Sequence, residues 1–290
     1  MGKIVTAISD NGGVVCYAMD AGDIAARAGS IHRTSPAVTV ALGRLLTAAS
    51  LMGSQMKGER DTLTLRVKGE GPAGSVIAVS DAQGNARGYV ENPAADVGLN
   101  KYGKPDVSGV VGRNGHLFVM KDIGLKEPYI GQTLLVSGEI AEDITYYYAQ
   151  SEQTPTVCAL GVSLDEDGAV VCAGGFLAQL LPGASDEDME RLENNIQAIP
   201  PVTKILSGGK TPEEIALDIL SGFDAQILSA VETAYRCDCT RERVEKALIS
   251  LGEKELLEMA DEQPVTEVAC HFCNKKYRFG PQDLRVLAQK

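Results

Sequence analysis

The chain is 290 residues long, with 27 Lys and Arg against 39 Asp and Glu, a formal net charge of −12, and 44% apolar and 23% charged residues. That length suggests about two domains and a core able to fold without disulfides, and the composition excludes wholesale disorder. The negative balance argues against non-specific binding to nucleic acid or an anionic membrane, since both surfaces repel it.

Met1–Ser9 shows no basic start followed by an apolar run, so no signal peptide is read. A cytoplasmic protein with reduced thiols is the expectation. Predicted strands at Ile4–Ser9 and Val14–Met19 flank Asp10-Asn11-Gly12-Gly13, residues that tolerate the positive φ of a hairpin turn. A helix is predicted over Asp23–Arg33. From Pro36 to Met56 the only charge is Arg44. A charge at the centre of a membrane span costs at least about 2.5 kcal/mol, so this stretch reads as a helix buried in a globular core.

Leu63, Leu65 and Val67 alternate with Thr64 and Arg66, the period of a half-buried strand. Further strands are predicted at Ser75–Ser80, Arg87–Glu91, Leu117–Lys121, Thr133–Gly138, Val157–Ser163 and Ala169–Ala173, with a helix over Asp143–Gln150. Strands grouped in this way, not alternating with helices, predict an α+β fold: a sheet-rich body (1–182) around one buried apolar helix.

The pattern changes near Pro182-Gly183. Ser185 and Asp188 have capping-box spacing, followed by Met189, Leu192, Ile196 and Ile199 at helical intervals. Thr211-Pro212-Glu213-Glu214 starts another helix, with Ile215, Ile219, Leu220 and Phe223 as its apolar stripe. Residues 183–230 therefore read as a helical connector whose short amphipathic helices must lie on a neighbour. Gly208-Gly209-Lys210-Thr211 is no phosphate-binding loop, because position 204 is Lys204 where a glycine is required.

Seven cysteines divide into two groups. Cys16, Cys158 and Cys172 sit in apolar strand segments and read as small buried hydrophobes. The other four form Cys237-Asp238-Cys239 and Cys270-His271-Phe272-Cys273, two close pairs separated by 30 residues. Each pair presents two sulfurs to one side, and a tetrahedral ion can join the two segments. Zinc suits four thiolates in a cytosolic chain. An iron–sulfur cluster and two independent dithiols are the alternatives, and His271 could replace a thiolate only by pointing the wrong way.

Residues 231–290 hold a helix starting at Thr240, a break at Gly252, a second helix carrying Leu256, Leu257 and Met259, and a hairpin with Cys270–Cys273 at its turn. That core is too small to fold unaided, and zinc binding of about 10–16 kcal/mol would supply most of its stability. Ten basic and eleven acidic residues, with one basic spot at Lys275-Lys276-x-Arg278, argue against a nucleic-acid ribbon.

Oxidation of a thiolate gives a sulfenic acid that condenses with the nearest thiol. The nearest in sequence are Cys237 with Cys239 and Cys270 with Cys273. Two short bridges would then replace a metal that had closed a loop worth about 3 kcal/mol. The tail would loosen and uncover connector residues Met189, Leu192, Ile196, Ile215 and Ile219 if they pack partly against it. Exposed apolar surface rimmed by charge binds unfolded chains.

The four-cysteine motif resembles that of the heat shock protein 33 family, and the resemblance covers essentially the full length. Gly88-Tyr89-Val90-Glu91-Asn92-Pro93, Lys121-Asp122-x-Gly124-Leu125-Lys126-Glu127-Pro128-Tyr129 and Val136-Ser137-Gly138-Glu139-Ile140-Ala141-Glu142-Asp143 support it. So do Ser151-Glu152-Gln153-x-Pro155 and Gly174-Gly175-Phe176…Leu181-Pro182-Gly183. The resemblance implies a redox-regulated holdase of bacteria, ATP-independent and not an enzyme, that keeps heat-unfolded and oxidatively damaged clients from aggregating. It implies one zinc held by Cys237, Cys239, Cys270 and Cys273 in the reduced, inactive form. In the oxidised, active form it implies Cys237–Cys239 and Cys270–Cys273 disulfides, zinc release, unfolding of tail and connector, and a homodimer. A thiol–disulfide oxidoreductase using Cys270 and Cys273, and a constitutive zinc-stapled RNA-binding domain, are the competing readings. Hydrolase chemistry is disfavoured, since four cysteines leave no open metal position and His32, His116 and His271 lie in no nucleophile motif.

Overall fold

The computed structural model describes residues 1–289. Apolar alternation closes the first hairpin as expected: β1 (Gly2–Ile8) and β2 (Val14–Asp20) pair antiparallel, and Asn11 accepts the Gly13 N–H at the turn. Helices α1 (Gly22–His32) and α2 (Pro36–Gly53) follow, then strands β3 (Thr62–Gly69), β4 (Ser75–Asp81) and β5 (Ala86–Val90). A short helix α3 (Val107–Val111) precedes β6 (Gly115–Asp122), β7 (Tyr129–Leu134) and α4 (Ala141–Tyr147), which runs into a π-helical turn at Tyr148–Glu152. Strands β8 (Thr156–Leu164) and β9 (Val170–Leu180) lead to helices α5 (Asp186–Ala198), α6 (Val202–Ser207) and α7 (Pro212–Ile219), and then to strand β10 (Gln226–Thr233). Helices α8 (Arg241–Ile249) and α9 (Glu253–Glu262), hairpin β11 (Thr266–Ala269) and β12 (Lys276–Phe279), and α10 (Pro281–Ala288) complete the described chain.

The fold is α+β. One five-stranded sheet has the order β10-β1-β2-β9-β8, the other β5-β4-β3-β6-β7, and all the pairings within them are antiparallel. Helix α2 lies between them. All but Pro36 and Arg44 of its 18 residues are buried, so the apolar stretch is a core helix and not a membrane span. Arg44 escapes the cost of burying a lone charge by pairing with Glu139 at 2.5 Å.

The chain divides into two compact units, Met1–Arg236 and Cys237–Lys290. Within the first, α5–α7 cover the outer face of the β1-containing sheet. Leu192, Val202, Ile205, Ile215 and Ile219 pack there with Val5, Ala7, Val14, Cys16, Ala18, Phe176 and Ala178. The Ser185 and Thr211 caps form as the sequence suggests, each hydroxyl accepting the N–H of the acidic residue three positions on.

Three expectations shift. The last stretch of the 183–230 connector is not helical, because Gln226–Thr233 pairs with β1 as an edge strand. The strand expected at Thr133–Gly138 lies earlier, at Tyr129–Leu134. The buried Asp143 carboxylate accepts the N–H groups of Val136, Ser137 and Ile140 at 2.7, 3.1 and 2.9 Å, so that backbone wraps round a side chain instead of pairing with a strand. The compact C-terminal unit begins at Cys237, where the sequence alone placed a boundary at 231.

Candidate metal centre

Two local structures bring the cysteines together. Cys237 and Cys239 precede α8, whose N-terminus is fixed by the Thr240 hydroxyl accepting the Arg243 N–H. Asp238 between them pairs with Arg243. Cys270 and Cys273 occupy the β11–β12 turn. There Cys270 donates to Lys275 O at 2.9 Å and Asn274 donates back to Cys270 O at 2.8 Å. Asn274 takes a φ of +56°, which its short polar side chain tolerates.

The four Sγ atoms lie within 4.8 Å of one another, with Cys237–Cys270 at 3.7 Å and Cys239–Cys273 at 3.4 Å. Sulfurs at about 2.3 Å from a tetrahedral zinc stand about 3.8 Å apart, so the cluster could hold such an ion. All four are half-buried and none is in a disulfide, and the described residues contain no other cluster of this kind. His271 is not in it.

The electrostatics of the cluster are uneven. Burial pushes the Cys237 and Cys273 thiols above the ordinary range. Burial acts the same way on Cys239, but hydrogen bonds from Tyr277 and the neighbouring thiols outweigh it and hold Cys239 below that range. The Tyr277 hydroxyl lies 3.2 Å from Cys239 Sγ and 2.9 Å from Cys239 O.

Behind the cysteines is a core of Leu248, Leu256, Ala260, Tyr277, Phe279, Leu284 and Leu287. Arg241 caps it, its guanidinium 4.3 Å from the Phe279 ring centroid while it donates to Arg278 O and reaches Asp283. Helix α10 supplies Leu284 and Leu287 and has no counterpart among the elements predicted from the sequence. Its signal was present: Gly280-Pro281 before an amphipathic stretch, with Asp283 accepting the Gly280 N–H. The basic spot at Lys275-Lys276-x-Arg278 is partly neutralised, since Glu267 pairs with both Lys276 and Arg278.

The connector residues named from the sequence separate by exposure. Leu192, Ile215 and Ile219 are buried against the sheet, Ile196 is half-buried, and Met189 is 43% exposed. They are covered by sheet residues and by one another across α5 and α7. Uncovering this surface therefore requires the helices to leave the sheet, which would bare Val5, Ala18 and Phe176 as well.

Comparison with known proteins agrees along the whole chain. The profile of a family described as Hsp33 protein matches residues 2–280. The 33 kDa chaperonin of Acetivibrio thermocellus is 47% identical over 99% of this chain and 96% of its own, and that of Lachnoclostridium phytofermentans 48% identical over 97% and 96%. The crystal structure of the 33 kDa chaperonin (heat shock protein 33 homolog) of Thermotoga maritima superposes with a TM-score of 0.90 at 36% identity, covering 99% of this chain and 97% of that one. With its two sheets, its covering helices and its four converging cysteines, this chain belongs to the heat shock protein 33 family.

Proposed function

We propose that this protein is a redox-regulated holdase of the cytoplasm, an ATP-independent binder of unfolding proteins and not an enzyme. The observation that carries the reading is the meeting of Cys237 and Cys239 with Cys270 and Cys273 over a seven-residue buried core. A core of that size leaves the unit dependent on whatever ties its sulfurs together. When reduced, the four thiolates hold one zinc ion per chain, which supplies the tie.

Oxidation removes it. Two molecules of hydrogen peroxide take four electrons from the four thiolates and, with four protons, become four waters, while two S–S bonds form. Sulfurs bonded to each other no longer serve as thiolate ligands, and the metal leaves. Pairing as Cys237–Cys239 and Cys270–Cys273 frees the two segments from each other. The unit then unfolds, α5–α7 leave the sheet, and the uncovered faces, Met189, Leu192, Ile196, Ile215 and Ile219 among them, hold clients, with two chains associating.

Disulfide mapping tests the pairing, because the folded unit also sets Cys237 Sγ 3.7 Å from Cys270 Sγ and Cys239 Sγ 3.4 Å from Cys273 Sγ. Bridges of that kind would staple the unit shut. Peroxide treatment under mild heat is expected to give the two local bridges, four thiols lost per zinc released, and suppressed aggregation of a heat-unfolded client. Cross-segment bridges, or an oxidised zinc-free chain that fails to slow aggregation, would refute the proposal.

A further inference from the structure

The connector is sewn into one sheet at both ends. β9 finishes at Leu180 before it and β10 starts at Gln226 after it, and both strands belong to the β1-containing sheet. Unfolding that begins beyond Cys237 therefore reaches α5–α7 only by running back through β10. That strand is paired on one side alone, and seven of its eight residues are exposed. Such an edge opens readily.

Just past β10 the chain changes partner. Ala234–Arg236 leave the first sheet and run along the free edge of β5 in the second. Ala86 donates to Ala234 O at 3.1 Å and accepts from the Arg236 N–H at 2.9 Å, while Ala234 donates to Asn85 Oδ1 at 3.1 Å. The next outward-facing peptide groups on β5 belong to Gly88, and there a side chain takes the place of a strand. The Tyr235 hydroxyl donates to Gly88 O at 2.8 Å and accepts from the Gly88 N–H at 3.3 Å. His32 Nε2, at the end of α1, lies 2.9 Å from the same carbonyl and 3.4 Å from the hydroxyl. The Tyr235 ring packs against the core between the sheets.

We propose that Tyr235 is a latch: its hydroxyl fixes Ala234–Arg236 on the β5 edge, so that unfolding from the cysteine-bearing unit halts there until the latch opens. The proposal rests on the switch described above, since it needs a tail that unfolds on oxidation. With the latch shut, an oxidised chain has an open tail and a connector still on its sheet. With it open, β10 peels from β1 and α5–α7 follow.

The test is amide exchange in the full-length chain after peroxide oxidation, comparing the parent with Tyr235→Phe, which keeps the ring and removes the hydroxyl. A net hydrogen bond is worth about a fivefold change in opening. Exchange in β10 and α5–α7 is expected to quicken about fivefold in the variant, with zinc release and thiol loss unchanged. Asn85→Ala, which removes a different bond from the same segment, should shift the same amides in the same direction and serves if Tyr235→Phe does not fold. Unchanged exchange in β10 and α5–α7 would overturn the latch. Should the oxidised parent keep the tail itself protected, the switch fails and the latch falls with it.

Discussion

The Tyr277 hydroxyl lies 3.2 Å from Cys239 Sγ and 2.9 Å from the carbonyl of the same residue, so one phenol orients both the sulfur and the backbone that carries it. A donor aimed at a thiolate spreads its charge and fixes its direction, and losing such an outer hydrogen bond typically weakens metal binding about 10–100-fold. Tyr277→Phe keeps the ring in the small core. Zinc affinity, measured by competition with a chelator, is expected to fall at least tenfold while the zinc-loaded fold persists; equal affinity would show that the hydroxyl is not a determinant.

Phe279 has no exposed surface and lies beneath the Arg241 guanidinium. Phe279→Ala truncates the largest fully buried side chain of a seven-residue core, a loss of about 3–5 kcal/mol for a buried phenylalanine. The C-terminal unit is expected to melt well below the rest of the chain even with zinc bound. A single coincident transition in calorimetry would contradict this.

What the sequence showed follows from how local each signal was. The capping box at Ser185, the helix start at Thr211 and the strand alternation at Leu63–Val67 are satisfied within a few residues, and the structure has them where the pattern puts them. The cysteine pairs were readable for a related reason, since two sulfurs spaced to face one side need only one partner pair elsewhere. β10 was not legible: its residues are nearly all exposed and its pairing is with residues more than two hundred positions away. Tyr277 and Arg241 could not be placed from sequence either, because their partners come from across the folded unit.

Cys16 offers an internal reporter of the connector. It is fully buried with Leu192, Ile215 and Ile219, and burial raises its thiol well above the ordinary range. Cys158 is also buried, at 8% exposure, but in the core between the two sheets. When α5–α7 leave the sheet, alkylation of Cys16 is expected to quicken at least tenfold while Cys158 stays slow. Parallel labelling of both would mean global unfolding instead.

The N-terminus of α5 gives a pH dependence. Hydrogen bonds from the Ser185 backbone and side chain, with Asn11 also donating, hold the Asp188 carboxyl below its ordinary 3.8. A carboxyl lowered on folding stabilises above its unfolded value and loses that contribution as pH falls through the folded one. Amide exchange in α5, corrected for intrinsic rates, is therefore expected to rise as pH falls below about 4. Ser185→Ala, which deletes the cap at a cost of about 1 kcal/mol, should bring a roughly fivefold rise already at neutral pH. An α5 indifferent to both would show that its packing alone holds it.

The dependence of Cys237–Gln289 on its bound ion is tested most directly by amide exchange in the full-length reduced chain, loaded with zinc and again after chelation. Protection at Leu248, Leu256, Tyr277 and Phe279 is predicted to vanish with the metal while the sheets of Met1–Arg236 keep theirs. Amides that stay protected in the stripped, reduced chain would leave the proposed switch with nothing to release.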